Sequence, residues 1–183
     1  MATALELRRH DAAETLNLRA EMLHVYRTSH EQPIRNDPWF AEEKFWERLV
    51  ELYAPGRDFG MVSGWLGGEM VGYAFGSPRD NAASTWQYVR TALPDIPVLD
   101  EDAPVYSFRE FAVHPEHQRK GFGRQIHDEL LRRRPESLAR LAVRVDNVQA
   151  AGAYRSWGWQ KVSAEQPFPD SPVMNILVRV LPL

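Results

Sequence analysis

Residues 105–131 read "VYSFREFAV", then "HPEHQRKGFGRQIHDELL". The first nine are rich in aromatic and β-branched side chains and read as a strand. In the rest, Phe122, Ile126 and Leu130 recur at i, i+4 and i+8, the spacing of an amphipathic helix. Between strand and helix stands Gln118-Arg119-Lys120-Gly121-Phe122-Gly123-Arg124. The first N–H groups of a helix have no partner inside it, and the helix dipole adds positive charge there, so an anion fits that end. Gly121 and Gly123 carry no side chain to obstruct one, and Arg119, Lys120 and Arg124 supply full charges. Read alone, the loop suits a plain surface turn equally well. It lacks the third glycine of the dinucleotide fingerprint and the Gly-Lys-Ser/Thr of the P-loop.

Outward from this stretch, strands and helices intermix. "ALEL" reads as a first strand. Asp11 caps a helix to about Tyr26, with Glu14 as its capping-box partner and Leu16, Ala20 and Leu23 at helical spacing. "SHEQPIRNDP" breaks the pattern. Asp37-Pro38 starts a second helix whose apolar face is Phe45, Trp46, Leu49, Val50 and Tyr53. "FGMVSGWL" and "EMVGYAFG" are strands joined by a tight Gly67-Gly68 hairpin. Residues 77–104 read as irregular, with a short helix at "STWQYVRTAL". After the 114–131 segment, "LARLAVRV" is a strand of alternating polarity. Asp146 or Asn147 then caps a helix ending at Gly158, and "WQKV" and "VMNILVRV" are strands. The order β-α-α-β-β-β-α-β-α-β-β predicts an α/β or α+β sheet with helices packed on it, in one domain over residues 1–183.

The bulk numbers exclude several classes. The chain has no cysteine, hence no disulfide framework, thiol nucleophile or thiolate metal site. Its net charge of −3 lacks the basic excess of a nucleic-acid binder. No segment approaches the ~18 apolar residues of a membrane span, and the start lacks a signal-peptide pattern. A cytoplasmic protein with neither nucleic-acid nor membrane partners is the expectation.

A second segment turns the ambiguous loop into a recognisable pair. Gln118-x-x-Gly121-x-Gly123 after a strand, with the Val113-to-Pro115 step before it, resembles the GNAT acyltransferase signature. "DNVQAAGAYRSWGW" resembles that family's second segment at Asn147, Ala150, Tyr154, Gly158 and Trp159. Close agreement is confined to about residues 105–160. The resemblance implies a mixed, mostly antiparallel sheet of six to seven strands flanked by about four helices. It implies transfer of an acyl group, usually acetyl, from acetyl-CoA to an amine. Main chain at Phe111, Ala112 and Val113 would pair with the pantetheine arm. Residues 118–124, that is Gln118, Arg119, Lys120, Gly121, Phe122, Gly123 and Arg124, would hold the pyrophosphate. Asn147, Ala150 and Tyr154 would line the pantetheine and thioester region.

The chemistry follows. An alkyl amine with a pKa near ~10 is protonated at neutral pH and needs a base or a water chain. Glu110 is the candidate base, against an ordinary strand carboxylate paired with Arg109. Tyr154 is placed by motif to protonate the leaving thiolate, against a half-buried aromatic. The Val113 N–H would meet the oxyanion. Trp39, Trp46 and Trp86 lie where the family walls its acceptor pocket, although core packing explains them as well. His114, His117 and His127 lack a completing cysteine or carboxylate, so surface histidines and no metal are expected. The expected acceptor is the primary amine of a small molecule, met in a ternary complex. A protein or peptide acetyltransferase and a non-catalytic acyl-CoA sensor are the rivals. Family members often pair, which makes a homodimer an expectation from resemblance alone.

Overall fold

The computed structural model describes residues 4–183. Seven strands form one sheet in the order β1-β2-β3-β4-β5-β7-β6. They are β1 Glu6–His10, β2 Gly60–Leu66, β3 Glu69–Arg79, β4 Val105–Val113, β5 Leu138–Arg144, β6 Gln160–Glu165 and β7 Met174–Val180. The helices are α1 Ala12–Leu16, α2 Arg19–Ser29, α3 Glu31–Asn36, α4 Glu42–Arg48, α5 Ala83–Ala92, α6 Phe122–Leu131 and α7 Val148–Ser156. The α/β class and the mostly antiparallel sheet agree with the sequence reading, and the helical stretches are divided more finely. The chain groups into two compact bodies: residues up to Ser77 with Phe108–Arg133, and Pro78–Ser107 with Arg134–Leu183.

In the first body, β1 runs antiparallel to β2, and β2 to β3 across the expected Gly67-Gly68 turn. The Asp11/Glu14 capping box forms as predicted, but the first helix breaks at Asn17–Leu18 into α1 and α2. The buried face of α2 is then Met22, Val25 and Tyr26, while Ala20 is exposed, a shift of the predicted stripe. "SHEQPIRNDP" is not a plain break, because α3 occupies residues 31–36. Asp37 Oδ1 accepts from the Trp39 N–H and caps a short 3-10 turn, Pro38–Phe40. α4 passes directly into a π-helix, Leu49–Tyr53, closed by Ala54 N–H donating to Leu49 O at 2.8 Å. The wider turn moves Val50 to the surface, off the predicted apolar face. Met22, Val25, Tyr26, Phe45, Leu49, Trp65, Tyr73 and Phe75 are among the residues of the core here.

In the second body, β4 pairs in parallel with β5 at Tyr106↔Ala139 and Ser107↔Arg140, and β7 runs antiparallel between β5 and β6. Alternation predicts Arg140 outward, yet it is 5% exposed. Nη1 donates to Thr85 Oγ1 of α5 at 2.9 Å, and Nη2 donates to Glu165 of β6. A buried guanidinium is tolerated only when so partnered. Asn147 Oδ1 accepts from Ala150 N–H at 3.1 Å and starts α7, as one of the two expected caps.

Candidate functional site

The loop between β4 and α6 is built from its glycines and its glutamine. Gln118 Nε2 donates to Val113 O at 2.9 Å and folds the loop back on the strand it leaves. Arg119 (φ 58°) and Gly121 (φ 81°) are both left-handed, so the chain turns twice within three residues. Gly121 is the N-cap of α6 and makes no side-chain cap bond, leaving the helix start to main-chain N–H groups. The role expected of Gly123 changes. A Cβ there meets Phe111 Cζ at 2.9 Å and Val113 Cγ2 at 3.4 Å, so its bareness lets α6 lie close on β4. Arg119, Lys120 and Arg124 are exposed, and Arg124 Nε pairs with Asp128 at 3.2 Å. Phe122 is half-buried, its ring 6.4 Å from that of His117. Ala112 is 3% exposed and its side chain belongs to the core. A turn with a bare helix start, surrounded by exposed cations, fits a pyrophosphate.

Glu110 lies in β4, its side chain 22% exposed. Burial pushes its carboxyl up to about 7 from an ordinary 4.5, against the lowering effects of the Arg48 guanidinium and the Phe111 N–H. His30 Nε2 lies 3.6 Å from Glu110 Oε1. Three tyrosines lie within electrostatic reach of this carboxylate. Tyr26 donates its hydroxyl to Phe40 O at 2.9 Å. Tyr73 is fully buried and its hydroxyl has no partner. Tyr53 lies under Arg109, whose Cζ is 5.2 Å from the ring centroid. All three phenols are raised, first by burial, and Glu110 contributes to each. The site thus has an elevated carboxyl, a neighbouring imidazole and a fixed cation, the features of an acid–base centre.

None of His30, Tyr26, Tyr73 or Arg48 was singled out from the sequence. His30 lies 80 positions from Glu110, inside the stretch "SHEQPIRNDP" that read only as a break in the helical pattern. Of the three tryptophans, Trp39 stacks under Arg48 at 3.9 Å and its carbonyl accepts from Arg48 Nη1 at 3.0 Å. It therefore braces the cation beside Glu110. Trp46 packs on the core, with Arg19 5.5 Å over its ring. Trp86 is 4% exposed, donates its indole N–H to Ala103 O at 2.8 Å, and serves the core of the second body. In that body Tyr154 is 8% exposed, its ring edge-on to Trp157 (5.8 Å) and Trp159 (6.0 Å). Asn147 commits its carbonyl oxygen to the α7 cap, as above.

The histidines depart from expectation in two ways. His127 is fully buried rather than on the surface, with Nδ1 2.7 Å from Asp128 Oδ1 and Phe108 5.4 Å away. His114 and His117 gain a carboxylate that spacing did not reveal: with Glu116 they bring one ligand atom each within 4.8 Å of one another.

The comparisons complete the picture. A family model described as "Acetyltransferase (GNAT) family" matches residues 19–159. The fold is similar to a GNAT-family acetyltransferase of Streptococcus agalactiae (TM-score 0.66, 12% identity, 100% of this chain and 99% of that one). It is also similar to the PaiA N-acetyltransferase of Thermoplasma acidophilum in complex with coenzyme A (0.61, 12%, 97% and 99%). A third is the ribosomal-protein-S18-alanine N-acetyltransferase of Escherichia coli (0.61, 19%, 98% and 96%). No curated protein matches the sequence. No helix among the described residues is long and apolar enough to cross a membrane.

Proposed function

Because the chain belongs to the acetyltransferase (GNAT) family, we propose that it moves an acetyl group from acetyl-CoA to the primary amine of a small molecule by direct attack in a ternary complex. The observation that carries this is Glu110. A carboxyl poised near 7 is half ionised at neutral pH, where a general base is most effective. The rings near it, those of Tyr26, Tyr53, Tyr73 and His30, are the basis for reading the acceptor as a small amine and not an extended peptide.

Acetyl-CoA supplies an acyl group activated as a thioester. The N–H groups of residues 119–124, with Arg119, Lys120 and Arg124, hold its pyrophosphate. Main chain at Phe111 and Val113 binds the pantetheine arm, and the Val113 N–H faces the developing oxyanion. Asn147 and Ala150 start the helix that carries Tyr154. Glu110 takes the ammonium proton of the acceptor, directly or through one water. The new C–N bond forms as the C–S bond breaks, Tyr154 gives its phenolic proton to the departing sulfur, and the second proton, shed by the acylated nitrogen, restores the phenol.

The test is free-thiol release from acetyl-CoA with a panel of small amines and peptides. Turnover with small amines that is lost in Glu110→Gln supports the proposal. Turnover with peptides alone replaces the acceptor class. Coenzyme A binding with no turnover on any acceptor leaves a sensor and sinks the catalytic reading.

A further inference from the structure

His30 is held in one orientation. It sits where α2 ends and α3 begins, and its own N–H donates to Tyr26 O at 2.9 Å. Its ring stacks on Tyr26 at 4.3 Å and lies 6.4 Å from Phe40. Nδ1 is 3.2 Å from Tyr26 O and 2.9 Å from Ser29 Oγ, while Ser29 Oγ itself donates to Tyr26 O at 3.2 Å. A carbonyl only accepts, and a hydroxyl that has given its proton away accepts too. Both contacts therefore place the proton of the neutral imidazole on Nδ1. The lone pair of Nε2 then faces Glu110 Oε1 across 3.6 Å. That exceeds a hydrogen bond, and a side-chain displacement of about 0.5 Å closes it, as such contacts commonly tighten when substrate arrives.

We propose that His30 is the proton outlet of Glu110: the carboxylate takes the proton of the incoming amine, passes it to His30 Nε2, and the imidazolium releases it to water. The proposal rests on Glu110 being the base. In each turnover two N–H bonds break on the acceptor: the ammonium proton forms and breaks one O–H on Glu110 and one N–H on Nε2 before it reaches water, and the proton shed after attack replaces the one that the sulfur takes. Both residues end as they began. No redox partner is needed.

The other groups facing the pair do not compete. Tyr26 of α2, Tyr53 of the π-helix and Tyr73 of β3 are kept protonated by burial. Arg48 of α4 and Arg109 of β4 are permanent cations. His30 is the neighbour that turns an unprotonated ring nitrogen, Nε2, toward the carboxyl. Side-chain exposures of 19% for His30 and 22% for Glu110 give the outlet access to water. His30 acts through Glu110 and is a positioning residue.

Two measurements test this. The first needs no acceptor: the histidine-ring NMR titration of the whole protein, with the His30 signal assigned by its loss in His30→Gln. In Glu110→Gln the His30 midpoint falls by about 1 pH unit, because the imidazolium loses its anionic partner while Arg48 remains. An unchanged midpoint overturns the pairing. The second is kinetic. His30→Gln lowers kcat about tenfold, leaves KM for acetyl-CoA alone, and moves the acid limb of kcat/KM upward, since Glu110 loses a cation that favours its charged form. Free imidazole restores part of the rate of His30→Ala. An acid limb that overlays the wild type overturns the outlet role. Should no amine be acetylated, the catalytic reading fails while the NMR coupling still decides whether the pair exists.

Discussion

Glu110→Gln disables the proposed base and, by the same physics, stabilises the protein in alkali. The folded carboxyl titrates at about 7 instead of its ordinary 4.5. Between those values the folded chain holds a proton that the unfolded chain has released, so stability falls as pH rises through that window and stays low above it. The difference corresponds to roughly 3 kcal/mol at ~1.4 kcal/mol per pH unit. A side chain still 22% exposed is screened, which reduces the figure to about 2 kcal/mol. Glutamine keeps the shape without the charge. The variant is therefore expected to be about 2 kcal/mol more stable than the wild type at pH 8, a Tm higher by roughly 4–8 °C for a chain of this size. The gap closes toward pH 5, where the wild-type carboxyl is protonated in the fold. Thermal and urea unfolding of both proteins at pH 5, 6.5 and 8 measures it. A gap independent of pH would falsify the elevated carboxyl and remove the main support for Glu110 as base. In turnover assays the wild-type kcat/KM should climb with a midpoint near 7, and Glu110→Gln should lose about 10²- to 10⁴-fold.

Three further outcomes are expected. Gly121→Ala forces a Cβ onto a φ of 81°, costs about 1 kcal/mol at the start of α6, and weakens coenzyme A binding about fivefold or more by calorimetry. Unchanged affinity removes the loop from the cofactor site. Tyr154→Phe keeps the ring between Trp157 and Trp159, so unfolding is unaffected while kcat drops at least tenfold with KM little changed. Full kcat in that variant excludes the phenol as the acid. Glu165→Gln leaves the Arg140 guanidinium buried opposite a neutral group and destabilises the protein by about 3 kcal/mol in urea unfolding. A change below 0.5 kcal/mol, roughly the scale of a surface substitution, shows that water replaces the carboxylate.

What the sequence disclosed was local. The capping box at Asp11, the turn at Gly67-Gly68, the Asn147 cap and the strand–loop–helix at 105–131 each depend on residues a few positions apart, and each is found in the structure. What it withheld needs partners from distant segments. Arg140 looked like a solvent-facing position because alternation cannot see that α5 and Glu165 cover it. Glu110 was named from its strand position, but the reason it titrates near 7 lies in the side chains that α2, α4, the π-helix and β3 bring to it. Gly123 looked like room for a ligand, and the structure makes it room for Phe111. His127 was assigned to the surface although it follows Ile126 on the side of α6 that is buried.

The π-helix at Leu49–Tyr53 is an α-helix lengthened by one residue within a single turn. Its wide loop, closed from Ala54 to Leu49, carries Tyr53 to its place beside Arg48 and Arg109. Removing one codon from this segment would restore ordinary helical winding and swing whatever follows by about 100°, the rotation per residue of an α-helix. Insertion or loss of a single triplet here thus changes which group borders the base.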